Sequence, residues 1–265
     1  MSCYVYWDKI SDIAEKLKNF DNLNNNFNIE KIIPLLDSIE EIAHDETIDF
    51  DSAKHILDHK KMGAELKLIR KFYVDVGMKL ETEKALEILE ADDPWKVLES
   101  FHFYKRYEKL IRNEAILSQL YGMENMVFIG GGPLPLTLIM INQFFGINGT
   151  SIELSPEIAD ISLRVLEKLG LDSEINVVCG DETKLKNIDC DMVMVAALAE
   201  PKKRVFSNVK KFTRPNAKIV YRTYTGMRAI LYAPVTEEDL QGFVTLNSVL
   251  PSGKVNNTSV LIKVN

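Results

Sequence analysis

From residue 4 to about residue 122 apolar positions recur at spacings of three and four, and glycine is scarce, which is the pattern of amphipathic helices. Leu66, Ile69, Phe72, Tyr73, Val76 and Leu80 mark one face of such a helix. Asp93-Pro94-Trp95 offers a capping carboxylate followed by proline at a first helical position, so a helix restarts there. Residues 22–28 are asparagine-rich without periodicity and read as a loop. Near Met123 the pattern changes. Short apolar runs at 126–129, 151–153, 176–179, 192–195 and 218–221 alternate with helical stretches, which predicts a parallel, doubly wound sheet. The end differs again: 242–250 and 259–264 are strand-like runs joined by Pro251-Ser252-Gly253-Lys254 and a polar stretch, with no room for a crossover helix, so they form an antiparallel hairpin. The expected fold is an N-terminal all-α helical bundle, residues 1–122, followed by an α/β domain, residues 123–265, whose parallel sheet ends in that hairpin.

Composition narrows the function. With 265 residues and 46% hydrophobic content the chain can bury a sizeable core in one large or two modest domains. The longest apolar run, 134–141, is broken by Pro135 and Thr137 and falls far short of the roughly 20 residues a membrane helix needs. Residues 1–10 carry Asp8 and Lys9 and lack the apolar stretch and cleavage site of a signal peptide, so a cytoplasmic protein is expected. Cys3, Cys179 and Cys190 form neither an even set nor a close pair, and read as free thiols. A net charge of −7 and a pI near 5.3 argue against nucleic acid as a partner and favour a small molecule. The basic cluster of Lys202, Lys203, Arg204, Lys210 and Lys211 reads as a solvated helix face. His55 and His59, four apart, would share a helix face, but neither His44 nor His102 completes a ligand set, and no enzyme-bound metal is expected.

The candidate chemistry begins where Val127-Phe128-Ile129 runs into Gly130-Gly131-Gly132-Pro133-Leu134-Pro135 and then into a helix near Leu136. Glycines at such a turn allow a sharp bend and a close approach to a ligand. Leu134 stands where a dinucleotide fingerprint has its third glycine, and Phe128 where methyltransferases often have an acid. Glu153 lies at the end of the second strand, about 20 residues beyond the turn, where a carboxylate can accept from both ribose hydroxyls. Gly180-Asp181 follows the third strand at the same sheet edge, either as an ordinary turn or as a site from which Asp181 addresses an adenine amino group. Parallel strands closed by a hairpin are the architecture of S-adenosylmethionine-dependent methyltransferases, a Rossmann-like fold, and S-adenosylmethionine is the expected ligand.

Several longer motifs resemble the nicotianamine synthases. They are the glycine turn with its prolines, from Phe128 to Thr137; Asp191-Met192-Val193-Met194-Val195-Ala196-Ala197-Leu198; Gly226-Met227-Arg228-Ala229-Ile230-Leu231-Tyr232; Val255-Asn256-Asn257-Thr258-Ser259-Val260; and the aromatic block Phe101-His102-Phe103-Tyr104 with Tyr107 and Leu110. The similarity covers most of the chain and is looser before about residue 66. It implies an enzyme that transfers 3-amino-3-carboxypropyl groups from S-adenosylmethionine, used as substrate, to an amino-acid amine and releases methylthioadenosine, building a metal-chelating metabolite. Glutamate or a unit derived from S-adenosylmethionine is a candidate acceptor. The candidate cofactor contacts are Gly130, Gly131, Gly132, Pro133, Leu134, Glu153, Asp181, Ala196 and Ala197, and the resemblance points to Glu81 as general base with Tyr107 beside it. Periodicity alone does not single out Glu81, because Glu83 and Glu87 project nearer the centre of the apolar face. Arg222, closing the fifth strand, is either a clamp for a substrate carboxylate or a surface arginine, and Glu200 either attracts the substrate amine or caps the helix ahead of Pro201. A small-molecule N-methyltransferase and a non-catalytic S-adenosylmethionine sensor remain as alternatives, and a homodimer is compatible with a long exposed helical half.

Overall fold

The computed structural model describes residues 3–18 and 29–265, so the expected loop at 22–28 lies outside the described residues. Helices α1 (Cys3–Lys18), α2 (Ile29–Ala43), α3 (Phe50–Leu57), α4 (Gly63–Glu90), α5 (Pro94–Glu99) and α6 (Tyr104–Ser118) come first. Alternation follows with β1 (Asn125–Ile129), α7 (Leu136–Phe145), β2 (Asn148–Glu153), α8 (Pro156–Leu169), β3 (Ile175–Cys179), β4 (Met192–Val195), α9 (Lys202–Phe212) and β5 (Lys218–Thr223), and the described chain closes with β6 (Phe243–Val249) and β7 (Thr258–Val264). Element type therefore changes near residue 123, but compactness divides the chain elsewhere. One unit holds Met1–Lys79, Tyr224–Pro234 and Ser252–Asn257; the other holds Leu80–Thr223, Val235–Pro251 and Thr258–Asn265.

The first unit is helical. Asp49 caps α3 by accepting from the Ser52 N–H at 2.8 Å, and Ile10, Ile32, Ile39, Ile56 and Ile69 are fully buried. Two excursions of the C-terminal half are pinned here by arginines. The buried Arg228 donates to the carbonyls of Val255 and Gly253, both at 2.8 Å, and to Glu46 at 3.0 Å, while Arg70 donates to the Ala229 carbonyl at 2.7 Å. A buried Arg satisfied by carbonyls fixes loops that have no ladder to hold them. These ties are why residues 224–234 and 252–257 belong with helices far away in sequence.

The second unit is built on a seven-stranded sheet of order β3-β2-β1-β4-β5-β7-β6. Strands β1 to β5 are parallel, and β7 runs antiparallel to both β5 and β6, as the terminal hairpin pattern anticipates. All four residues of β4 are buried, the continuous apolar run expected of a parallel strand covered on both faces. Val127, Ile129, Val193, Val195, Phe206, Tyr221 and Ile262 form the core between the sheet and α9. Strand β2 begins at Asn148, three residues before the run that periodicity marks. Asn148 and Gly149 have poor strand propensity and are recruited by pairing with Asn125 and Met126 of β1, with the Leu138 side chain packed over Gly149. The order of strands reverses between β1 and β4, so the crevice beyond their carboxyl ends is where a ligand binds in such a sheet.

Candidate active site

The turn after β1 sits at that crevice. Gly132 has φ +70, a conformation open to glycine, and its N–H donates to Glu153 Oε2 at 3.1 Å. The other carboxylate oxygen of Glu153 accepts from the Ser155 N–H at 3.1 Å. The strand-end acid is thus held by two backbone donors, and each oxygen keeps a lone pair for a further donor. Gly131 is required for a different reason: a Cβ there would collide with Ser151 Oγ, a fully buried hydroxyl on β2 without a hydrogen-bond partner. Turn and second strand are packed backbone against side chain, with no space for methyl groups.

Glu81 meets the turn directly, since a Cβ on Gly132 would lie 3.1 Å from Glu81 Oε2. The Tyr107 hydroxyl on α6 donates to Glu81 Oε1 at 3.3 Å. Burial pushes the Glu81 carboxyl up to about 7, further helped by the nearby Glu153 carboxylate and opposed by the Tyr107 hydrogen bond and the Arg222 guanidinium. The expected geometry of α4 needs correction here. Its buried residues run Leu66, Ile69, Phe72, Val76 and Leu80, but then shift to Ala85 and Ile88, which share a stripe with Glu81 at i, i+4 and i+7. Glu87 is exposed and paired with Lys84 instead of facing the core. The division between units falls at Lys79/Leu80, within α4, so a helical face extrapolated from the first half does not hold in the second.

Arg222 is neither an open clamp nor a surface residue. It is 4% exposed and forms a two-pronged pair with Glu114 of α6, Nε to Oε1 at 2.7 Å and Nη2 to Oε2 at 2.8 Å. Ser259 of β7 donates to the same Oε1 at 2.7 Å. The Arg222 guanidinium lies 5.2 Å from the Phe128 ring centre and 5.9 Å from that of Tyr107. Glu114 escaped the sequence reasoning, although a signal existed: it follows Tyr107 by seven residues on the face of Leu110, Ile111 and Leu117, an acid on an apolar stripe. Phe128 on β1 thus provides an aromatic wall for a guanidinium that is already paired with Glu114.

The remaining candidates take supporting positions. Ala196 and Ala197 follow β4, and a Cβ on Gly130 would meet the Cβ of Ala196 at 3.2 Å and that of Ala199 at 3.7 Å, so Ala196 and Ala199 wall the turn. Lys202, another residue the sequence did not single out, is buried and donates from Nζ to the Ala197 and Ala199 carbonyls, both at 2.7 Å. Glu200 accepts from the Lys202 N–H at 2.9 Å and pairs with the Lys202 ammonium at 3.1 Å, its side chain 45% exposed. Asp181 caps the 3-10 turn Glu182–Asn187 by accepting from the N–H and hydroxyl of Thr183. His55 and His59 do not share a helix face: α3 ends at Leu57, and His59 caps the next turn through Nδ1 while packing 4.1 Å from Trp7. Among the described residues no group of three or more His, Cys, Asp or Glu side chains has the geometry of a metal site, and no helix is long and apolar enough to cross a membrane.

Comparisons with known proteins fit this arrangement. The family model described as nicotianamine synthase protein matches residues 3–265. Nicotianamine synthase 3 of Arabidopsis thaliana is 31% identical over 189 residues, spanning 65% of this chain and 58% of that protein. Nicotianamine synthase 2 of the same plant is 27% identical over 270 residues, 96% of this chain and 82% of that protein. Solved structures of MtNAS are 54% identical: its complex with MTA and tNA covers 100% of both chains with a TM-score of 0.96, and its E81Q variant in complex with S-adenosylmethionine covers 99% of both with a TM-score of 0.94.

Proposed function

Because this chain belongs to the nicotianamine synthase family, we propose that it transfers the 3-amino-3-carboxypropyl group of S-adenosylmethionine to an amino-acid amine, releasing methylthioadenosine and building a nicotianamine-type metal chelator. The observation that carries this is Glu81: a carboxyl raised to about 7, hydrogen-bonded to Tyr107, set against the glycine turn of a nucleoside-binding sheet.

The chemistry follows from these parts. An amino acid presents an ammonium group, which is not nucleophilic, and a base whose carboxyl titrates near neutrality is matched to remove its proton. The freed amine attacks the side-chain carbon next to the sulfonium. A C–N bond forms, the C–S bond breaks with its electron pair passing to sulfur, and neutral methylthioadenosine leaves while Glu81 holds the proton. Tyr107 orients the carboxylate by donating to Oε1. Gly130, Gly131, Gly132, Pro133 and Leu134, with Ala196 and Ala197 after β4, accommodate the nucleoside, and Glu153 receives the ribose hydroxyls. Glutamate, or a unit derived from S-adenosylmethionine, supplies the first amine. The deciding experiment is mass spectrometry of the protein incubated with S-adenosylmethionine and single amino acids. Methylthioadenosine together with an acceptor enlarged by aminocarboxypropyl units is the expected result. Adenosylhomocysteine with methylated acceptor would make it an N-methyltransferase, and unconsumed S-adenosylmethionine a sensor.

A further inference from the structure

The buried Glu114–Arg222 pair has no step assigned to it in the reaction above, yet it touches the elements that carry that reaction. Glu114 stands two turns after Tyr107 on α6, and Arg222 on β5 is flanked by the rings of Phe128 and Tyr107 at 5.2 and 5.9 Å. Nε and Nη2 fork onto the carboxylate at 2.7 and 2.8 Å and fix the plane of the guanidinium, while Ser259 donates to the same carboxylate at 2.7 Å and holds Glu114 in place. Stability gives little reason to keep such a pair, because apolar residues of similar volume usually serve a buried position as well or better.

We propose that Glu114 and Arg222 are positioning residues for the Tyr107–Glu81 couple: the pair locks α6 against β5 so that the Tyr107 hydroxyl faces Glu81, and it sets how much positive charge Glu81 meets. The inference rests on the proposed reaction. Charged or titratable groups act on Glu81 from three elements, Tyr107 on α6, Arg222 on β5 and Glu153 on β2, and of these only Arg222 is cationic. Its cationic influence is offset by the adjacent Glu114 carboxylate. Removing one partner or the other should therefore move Glu81 in opposite directions, which a merely structural pair would not do.

The test is the pH–rate profile of methylthioadenosine formation by the full chain, with thermal unfolding recorded for each variant. Glu114→Gln leaves the guanidinium less compensated, so the acidic limb should move down by about one pH unit, and Arg222→Met should move it up by about the same amount. Arg222→Lys keeps the charge but not the fork, so kcat should fall while its limb moves up less than in Arg222→Met. Should Arg222→Met fail to fold, the downward shift in Glu114→Gln and the loss of kcat in Arg222→Lys without a downward shift carry the decision. Limbs that stay at the wild-type position in Glu114→Gln, or that move the same way in both charge-removing variants, overturn the proposal. A wild-type protein that forms no methylthioadenosine would overturn the proposed function instead.

Discussion

Glu153 reaches back from the end of β2 to accept the Gly132 N–H at 3.1 Å, so the acid proposed to receive the ribose is also a strut of the glycine turn. Its second oxygen is tied to Ser155, which in turn caps α8 by accepting from the Ile158 N–H. One carboxylate thereby joins β1, β2 and α8 at the carboxyl edge of the sheet.

Replacing Glu153 by Ala removes a charged acceptor from the turn and, in the proposed binding mode, from the ligand. The dissociation constant for S-adenosylmethionine, measured by calorimetry, should rise by about 10- to 100-fold, equivalent to roughly 1.5–3 kcal/mol. Glutamine at the same position should recover part of the loss, because its carbonyl still accepts.

Replacing Glu81 by Gln removes the proposed base and leaves its shape. Methylthioadenosine formation should fall by about 10²- to 10⁴-fold, while S-adenosylmethionine binding stays within a few-fold of the wild type. Equal losses in binding and turnover would mean that Glu81 serves the ligand pocket and not the proton transfer.

The wild-type rate should rise with pH through about 7, because the base is active only as a carboxylate and burial holds its carboxyl near that value. Stability has the opposite slope. In the unfolded chain the carboxyl titrates near 4.5, so between about 4.5 and 7 the folded state binds more protons and loses stability as pH rises. Glu81→Gln escapes that cost and should be more stable than the wild type above pH 7, by up to about 3 kcal/mol, with the difference vanishing near pH 4 in paired denaturant titrations.

Gly131→Ala should weaken both ligand binding and folding by about 1–3 kcal/mol, since its methyl group collides with Ser151 Oγ. Ser151→Ala alone should be close to neutral in thermal unfolding, because that hydroxyl has no partner to lose. Combined with Gly131→Ala it should restore part of the stability; purely additive losses would show that the backbone, not the hydroxyl, limits the space.

Much of the molecule can be read along the chain. The strand runs, the terminal hairpin, the cap at Asp93 and the glycine turn with Glu153 behind it each depend on a few residues close in sequence, or on a period of two or 3.6 that any window displays. What the sequence determined by itself is therefore the kind of sheet, the place of its ligand edge and, through the long motifs, the family. Only the tertiary structure decided which charges act together. Arg222 and Glu114 are separated by 108 positions, and nothing local distinguishes a strand-end arginine in water from one forked onto a buried acid. Likewise, Glu81 rather than Glu83 or Glu87 enters the site because the buried stripe of α4 turns after Leu80, where the helix passes from one compact unit into the other. Burial and charge pairing are properties of what surrounds a side chain, and that surrounding is assembled from residues far apart in the sequence.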